Sequence, residues 1–142
     1  MNSQSEKIEE IVLKYISEQF GVDRIEFELK EMGKGRVYAL KPCSIEVKEH
    51  HSGIYIGKFE KDGFRLSIEG SALIGPHARR NVIEVDDEVA AQWMSGKDIP
   101  SDVRGYVILK WKNFFLGCGR GNGKFIRNFV PKNRRISNTA KY

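Results

Sequence analysis

The sequence predicts an α+β protein in which a small α/β lobe precedes a small mixed or barrel-like sheet. Strand-like alternation dominates the chain, and helical patterns are confined to short stretches at its edges. Strands and helices do not alternate as βαβ units and a fully parallel sheet require. With 142 residues, the chain is expected to form one compact domain or a small lobe fused to one.

The chain begins with its clearest helix, which is predicted over residues 3–20. Apolar residues at helical spacing form one stripe, as is typical of a helix packed on a core: Ile8, Ile11, Val12, Tyr15, Ile16 and Phe20. Ser3 and Glu6 have the spacing of a capping box at the N-terminus. Gly21 suits the left-handed conformation that often terminates a helix.

Strand-like patterns follow this helix. Residues 24–30 alternate between apolar and charged side chains, which predicts a half-buried strand. Two shorter strands are predicted over 37–40 and 45–47, on either side of a break at Pro42. Together with the helix, these strands make up the small lobe that is expected over residues 1–52.

A second unit is predicted to begin at residue 53 with a β-hairpin. Two strand-like runs, 54–59 and 64–68, flank Lys61-Asp62-Gly63. An Asp-Gly pair between such runs is a strong hairpin signal. A short helix is expected after the hairpin, over residues 71–78.

The next elements combine a short strand with a capped helix. Residues 81–85 form a strand-like run, and Asp86 has the type and position of an N-cap residue. The helix is predicted to extend to Ser95 and to end at Gly96. Its inner face is expected to consist of Val89, Ala90, Trp93 and Met94.

Three strands are predicted near the C-terminus, over 105–111, 114–118 and 125–130. Between the last two, glycine alternates with other residues from Gly117 to Gly123. Glycine-rich loops that bind dinucleotides or methyl donors follow the first strand of a βαβ unit and open a helix, and the sequence has neither feature here. These glycines are therefore expected to form a turn or bulge, where an RNA backbone can also approach closely.

The distribution of charge is the strongest indication of function. The chain has 24 basic and 19 acidic residues. Residues 104–142 contain no acidic residue, and their basic residues are Arg104, Lys110, Lys112, Arg120, Lys124, Arg127, Lys132, Arg134, Arg135 and Lys141. Such a surface suits phosphates, because each lysine or arginine near a phosphate releases condensed counterions. Nucleic-acid binding is therefore favoured over a solvated strand face that has no ligand.

Aromatic residues alternate with these basic residues, which indicates folded strands rather than a disordered basic arm. Phe125, Arg127 and Phe129 fall on one face of the last predicted strand, because side chains two residues apart point to the same side. Two interpretations are open. Either Arg127 emerges at an edge of the sheet, or this face binds RNA and the two phenylalanines stack on bases.

No pattern in the sequence indicates an enzyme, a metal site or a cofactor. No nucleophile and base stand in a known catalytic motif, and Cys43 and Cys118 do not have a metal-ligand spacing. Two separate cysteines fit a reducing compartment, and no apolar run approaches the length of a membrane span. A cytoplasmic protein that does not bind membranes is therefore expected.

Several motifs of the second unit match a known type of domain: Gly53–Lys58, Phe64–Ser67, Trp93–Ile99, Leu116-Gly117 and Lys124–Arg135. With these motifs the chain resembles PUA-type RNA-binding domains, in particular the PUA-like C-terminal domain of the Sun/Fmu (nucleolar Nol/Nop) RNA cytosine-C5 methyltransferases. The chain also resembles the Nip-type ribosome-biogenesis factor, in which a pre-PUA lobe precedes a PUA domain. That resemblance rests on the layout of the whole chain and on Gly57–Phe59, Phe64–Leu66, Pro76, Ala78 and Phe115–Gly117.

The resemblance implies a PUA-like pseudo-barrel over residues 53–136, a pre-PUA-like lobe over 1–52 and a polar tail over 137–142. It also implies binding of structured RNA, with rRNA or its precursor as the expected ligand. Methyltransferase activity is not implied, because the methyl-donor domain and catalytic cysteines of those enzymes have no counterpart in this sequence. Expected partners are an RNA methyltransferase or pre-ribosomal proteins.

Charge and resemblance together predict the RNA-binding residues Arg79, Arg80, Lys110, Lys112, Arg120, Lys124, Arg127, Asn128, Lys132, Arg134 and Arg135. One alternative is a protein-interaction module whose basic face docks an acidic partner, such as an RNA-modifying enzyme. The other is that the chain is itself an RNA-modifying enzyme, which requires binding of a methyl donor.

Overall fold

The computed structural model describes residues 4–40 and 53–136, with side chains from residue 8 onwards. Some sequence predictions fall outside the described part: the strand over 45–47, Cys43, the polar tail over 137–142 and the capping pair of Ser3 and Glu6. Within the described part the predicted α+β class is confirmed, since two sheets and three α-helices are present.

The first sheet is antiparallel and has the strand order β1-β2-β3-β4. Its strands are Glu28–Glu31 (β1), Arg36–Leu40 (β2), Gly53–Glu60 (β3) and Gly63–Leu66 (β4). The predicted hairpin around Asp62-Gly63 is confirmed as β3 and β4. The first strand begins at Glu28, later than predicted, and buries Leu29 between exposed neighbours.

Residues on both sides of the predicted boundary at residue 53 contribute to the first sheet. Tyr38 in β2 is in register with Tyr55 in β3, and their rings lie 5.4 Å apart. One hydrophobic core includes residues from both predicted units. The division of the chain into lobes at residue 53 stays a prediction.

The second sheet is mixed and has the strand order β5-β7-β8-β9-β6. Its strands are Val82–Glu84 (β5), Ile99–Pro100 (β6), Arg104–Trp111 (β7), Phe114–Asn122 (β8) and Phe125–Arg127 (β9). Strand β5 pairs with β7 in parallel, whereas the other pairs are antiparallel. The two-residue strand β6 was not predicted, because such a short segment has no periodic pattern.

The first helix, Gln4–Phe20 (α1), packs one face on the first core. The fully buried residues of this face are Val12, Ile16 and Phe20. Ile11 belongs to the predicted stripe but is 41% exposed, since it lies at the margin of the face. Gly21 has a positive φ of 72° and donates its N–H to Ser17, which confirms it as the terminator.

The second helix, Ile68–Ile74 (α2), begins earlier than the predicted range of 71–78. Ser67 interrupts the strand pattern because its hydroxyl caps the helix, accepting the N–H of Gly70 at 2.9 Å. A Cβ on Gly70 would lie 2.0 Å from the carbonyl oxygen of Ile56. Glycine therefore lets α2 lie directly on β3, and a 3-10 turn at Gly75–His77 follows the helix.

The third helix, Asp87–Met94 (α3), has the predicted cap. Asp86 accepts the N–H of Val89 at 2.8 Å, and Gly96 follows the helix with a φ of 100°. The fully buried Trp93 packs in a second core between α3 and the second sheet. Since the first core lies against the other face, the second sheet is covered on both sides.

The glycine-rich stretch forms mostly strand, so its prediction as a turn is wrong for most of its length. Strand β8 continues to Asn122, and the turn to β9 is confined to Gly123-Lys124. An irregularity in the pairing with β7 occurs at the start of the stretch, where Gly117 has a φ of 131°. The predicted bulge is therefore present at this one position.

Two of these glycines make room for their neighbours. A Cβ on Gly119 would lie 2.4 Å from the side chain of Ile126, and one on Gly121 would lie 2.3 Å from the carbonyl oxygen of Val103. The alternating glycines thus permit close packing on this part of β8.

Candidate nucleic-acid interface

One end of the second sheet is uncovered on the side that otherwise packs on the first core. On this side, Tyr106, Ile108 and Cys118 are buried in that core. Arg120 is in register with Tyr106 on one neighbouring strand and with Arg127 on the other. Because residues in register share a face, the two exposed arginines continue the same face beyond the core.

The exposed part of this face is both basic and aromatic. Alternation along β7 and β9 adds Arg104 and Phe125 to the side that carries Arg120 and Arg127. Phe125 is 46% exposed, whereas the adjacent Ile126 is buried on the opposite side. We call Arg104, Arg120, Lys124, Phe125 and Arg127 the basic face.

The observed exposure of the last strand bears on the position of Arg127, which is one part of the two interpretations. Phe125 and Arg127 point to solvent together, so Arg127 lies within an open face rather than at a separate edge. Phe129 follows the strand and is half-buried. Its ring centroid lies 4.3 Å from the guanidinium carbon of Arg65 and 5.5 Å from that of Arg127. Both distances are within the range of a cation–π interaction.

A cleft of about 310 Å³ lies between the two sheets on the other side of Phe129. Its lining includes Tyr55, Arg65, Phe129 and Arg134. Arg134 extends from a 3-10 turn, Lys132–Arg134, and pairs with Glu69 at 2.9 Å. The cleft therefore adjoins the basic face but contains its own acidic group.

Asp62 connects the two sheets beside the basic face. Its carboxylate accepts the hydroxyl hydrogen of Tyr106 at 2.8 Å and also pairs with Arg120. The hydrogen bond from Tyr106 is the largest cause that holds the pKa of Asp62 below its usual value, and Arg120 acts in the same direction. Burial is the main cause that raises the pKa of Tyr106, and the carboxylate raises it further.

Acidic residues from the preceding part of the chain reach the C-terminal basic residues in space. The ion pairs are Arg120 with Asp62, Arg134 with Glu69, Lys110 with Glu84 and Lys112 with Asp87. The segregation of charge along the sequence is therefore partly cancelled on the surface. Among the described residues, Arg104, Lys124, Arg127 and Lys132 make no ion pair.

Three of the predicted RNA-binding residues come together on the basic face, namely Arg120, Lys124 and Arg127. Lys110 and Lys112 do not join them. Lys110 lies near the opposite end of β7, about 20 Å along the strand from Arg104, and Lys112 lies in the turn that follows β7.

Two other predicted residues form intramolecular contacts at the end of α1. Arg79 forms a two-point contact with the carboxylate of Asp23, at 3.1 and 2.6 Å. Arg80 donates to the carbonyl oxygens of Ser17 and Glu18 and so satisfies the last turn of the helix.

Asn128 uses its side chain inside the protein. Its amide nitrogen donates to the carbonyl oxygens of Trp93 and Lys97, and its amide oxygen accepts the N–H of Val130. These contacts explain why β9 ends at Arg127 rather than at the predicted residue 130. Arg135 likewise donates to the carbonyl oxygen of Val130 at 3.0 Å.

The predicted set lacks Arg104, which lies on the basic face, and Arg65, which lies beside that face. Arg104 lies in the basic stretch, so the charge pattern could have included it. Strand period could not reveal its exposure, because Arg104 has the same parity in β7 as the buried Tyr106. Arg65 stands alone in an apolar strand and carries no local signal, because its proximity to Phe129 arises only on folding.

The described residues contain no group of three or more histidine, cysteine, aspartate or glutamate side chains that could hold a metal ion. Burial raises the pKa of the Cys118 thiol to about 12, so this group is a protonated, inert core residue. No helix within residues 4–40 and 53–136 has the length and apolar character needed to cross a membrane.

Comparison with protein families gives a match to the PUA domain of the methyltransferase RsmF, over residues 80–136. This range contains the basic face, α3 and the whole second sheet. It begins later than the predicted unit, which starts at residue 53 and includes β3, β4 and α2.

Curated relatives named ribosomal RNA small subunit methyltransferase F are similar to the chain. The protein from Vibrio campbellii is 28% identical over 102 residues, which cover 66% of this chain and 21% of the relative. Those from Vibrio cholerae (strain M66-2) and Aliivibrio fischeri (strain ATCC 700601 / ES114) are each 26% identical, over 97 and 95 residues. These two alignments cover 66% of this chain and 20% of the relative.

The chain spans about a fifth of the length of the curated relatives it matches. The matched family model describes their PUA domain, and no catalytic domain is matched. The resemblance to the Sun/Fmu methyltransferases is thereby confirmed at the level of one domain. Residues 80–136 therefore match the PUA domain of RsmF, and the chain shows distant homology to ribosomal RNA small subunit methyltransferase F.

Proposed function

We propose that the chain binds structured RNA without catalysing a reaction, and that the basic face is its main contact surface. The observation that carries this proposal is the combination of Arg104, Lys124 and Arg127, which make no ion pair among the described residues, with the exposed ring of Phe125. Cations of this kind neutralise phosphates, and an aromatic ring offers a stacking surface.

The relation to a methyltransferase of small-subunit rRNA favours rRNA or its precursor as the ligand. On this proposal the chain acts in the cytoplasm during rRNA modification or ribosome biogenesis. Since no catalytic domain is matched, an RNA methyltransferase or pre-ribosomal proteins would carry out or accompany the chemistry.

The role of individual residues within the proposed interface follows from their intramolecular contacts. Lys132, Arg134 and Arg135 extend the interface on the far side of Phe129, where Glu69 reduces the local positive charge. Arg79, Arg80, Lys110 and Lys112 form its distant margin and contribute less, because each already has a partner. Asn128 acts by holding the end of β9 in place.

The proposal is tested by measuring the affinity of the purified chain for fragments of small-subunit rRNA while the salt concentration is varied. RNA binding should weaken log-linearly between about 50 and 200 mM salt, with a slope of about 0.7–0.9 per phosphate contacted. Nuclease treatment should abolish the complex.

Three outcomes would contradict the proposal in whole or in part. Affinity that does not change with salt would rule out phosphate contacts as the source of binding. A complex with a protein from the same cells that survives nuclease treatment, together with no measurable RNA affinity, would favour the alternative, a module that docks an acidic protein. Binding of a methyl donor, measured by calorimetry, would contradict the non-catalytic part.

A further inference from the structure

Phe125 occupies an unusual position for a large apolar residue. It is the first residue of β9, it is 46% exposed, and the core is filled from the other side of the strand by Ile126. Among the described residues its ring forms no aromatic pair and no cation–π contact, in contrast with Phe129. Packing therefore does not explain this ring.

The backbone that carries Phe125 is held firmly. The side-chain oxygen of Asn122 accepts the N–H groups of both Lys124 and Phe125 at 2.8 Å. Gly123 has a φ of 96° and donates its N–H to Val103 at 2.9 Å. The ring thus stands on a preorganised turn, which lowers the entropic cost of using it for binding.

Three cations lie on the turn and the strands next to the ring. Lys124 precedes it in the turn, and Arg127 lies on the same face of β9. The guanidinium of Arg104 lies against Gly123, where an added Cβ would come within 2.7 Å of it. Phosphates on either side of a base placed on the ring would therefore meet positive charge.

We propose that Phe125 stacks on an unpaired nucleobase while Lys124, Arg104 and Arg127 contact the neighbouring phosphates. This inference rests on the proposed function and names the class of RNA: a helix interrupted by a bulged or looped-out nucleotide, rather than an uninterrupted duplex. The bases of a continuous A-form helix are stacked on one another, so none is free to cover the ring. Stacking on an aromatic side chain changes affinity by about 5- to 150-fold when the ring is removed.

The test compares two RNA hairpins with the same stem, one of which has a single unpaired purine in the stem. The wild-type chain should bind the interrupted stem more tightly. Phe125→Ala should weaken binding to the interrupted stem by about 5- to 150-fold and leave affinity for the continuous stem nearly unchanged. Phe125→Leu should behave like Phe125→Ala. Leucine restores much of the apolar area, but it has no flat aromatic ring on which a base can stack.

Phe114→Ala is the matched control. Phe114 is also an exposed phenylalanine of the second sheet, at 59%, but it lies at the opposite end of β8 and stacks on Trp111. Its replacement should not change affinity for either hairpin. Thermal melting of all variants verifies that they remain folded.

The measurements distinguish a wrong stacking inference from a wrong proposal of RNA binding. Equal wild-type affinity for the two hairpins, or an equal loss for both in Phe125→Ala, would overturn the stacking inference while RNA binding itself stands. The absence of salt-dependent wild-type affinity for either hairpin would overturn the proposed function and the inference with it. The fluorescence of a 2-aminopurine at the unpaired position should change when the wild type binds and removes the base from the stem, and an equal change with Phe125→Ala would also overturn the stack.

Discussion

The hydroxyl group of Tyr106 in β7 donates a hydrogen bond of 2.8 Å to the carboxylate of Asp62, in the turn between β3 and β4. The bond joins the second sheet to the first at the margin of the basic face. Because Asp62 also pairs with Arg120, one carboxylate both links the two sheets and neutralises one cation of the basic face.

Replacement of Tyr106 by phenylalanine should reduce both stability and its dependence on pH. The pKa of Asp62 is lower in the folded chain, so its stabilising contribution is present above its unfolded pKa and is lost as pH falls through the folded pKa. Loss of the Tyr106 hydrogen bond should cost roughly 0.5–1.5 kcal/mol near neutral pH. Urea unfolding at neutral and acidic pH should show that the difference from wild type becomes smaller in acid.

Tyr38→Phe is the control for this experiment. The ring of Tyr38 packs against that of Tyr55 at an angle of 50°, and no hydrogen bond joins its hydroxyl group to the described part of the chain. If Tyr38→Phe and Tyr106→Phe depended on pH in the same way, the assignment of the acid-sensitive interaction to Asp62 would be wrong.

Replacement of Asp62 by asparagine should strengthen RNA binding. The change removes a negative charge next to the basic face and releases Arg120, while the amide oxygen can still accept the hydrogen bond from Tyr106. One additional phosphate contact should increase the salt slope by about one. Glu84→Gln provides the comparison, since Glu84 pairs with Lys110 at the far end of β7 and its loss should have little effect. Weaker RNA binding by Asp62→Asn would place Arg120 outside the interface.

Replacement of Trp93 by alanine should destabilise the chain by about 3–5 kcal/mol, as is typical of a buried tryptophan. Its side chain is fully buried and its indole N–H donates to the carbonyl oxygen of Leu116. Chemical denaturation measures the loss, and RNA affinity measured below the melting transition should be retained. A variant that melted like the wild type but no longer bound RNA would show that Trp93 contacts the ligand instead.

A fragment of residues 53–136 should fold but unfold at a lower temperature than the whole chain. Its strand pairs β3–β4 and β7–β8 remain, whereas β3 loses its partner β2 and the first core loses α1. Calorimetry of the fragment and of the whole chain tests this expectation. A fragment without a cooperative transition would argue against separate lobes and for one continuous core.

Elements with local signals could be predicted from the sequence. The stripe of α1, the Asp-Gly turn and the Asp86 cap each depend on residues that are neighbours in the sequence. Errors occurred where two local signals competed: Ser67 lies at the end of an apolar run and reads as strand, although its hydroxyl caps α2.

The charge of the surface could be predicted only in part. Arg120 and Asp62 are 58 residues apart, and Arg134 and Glu69 are 65 residues apart. Pairing over such distances is decided by the packing of the two sheets, which no local pattern encodes. For the same reason, no local pattern indicates that Arg80 caps the end of α1 or that Asn128 holds α3 to the end of β9.

The most direct test of the account is the effect of reversing two cations of the basic face on affinity for an rRNA fragment. Lys124 and Arg127 are suitable because neither forms an ion pair within the described part, whereas Arg134 and Arg135 hold Glu69 and the carbonyl oxygen of Val130. The control reverses two exposed lysines near the N-terminus, Lys14→Glu with Lys30→Glu, so that the net charge changes equally.

Lys124→Glu with Arg127→Glu should bind the RNA far more weakly than the control and lose about two units of salt slope, one for each phosphate contact. The control should retain most of the wild-type affinity, since only the overall charge has changed. Equal affinity of the two double variants would contradict the assignment of the RNA-binding surface to the basic face.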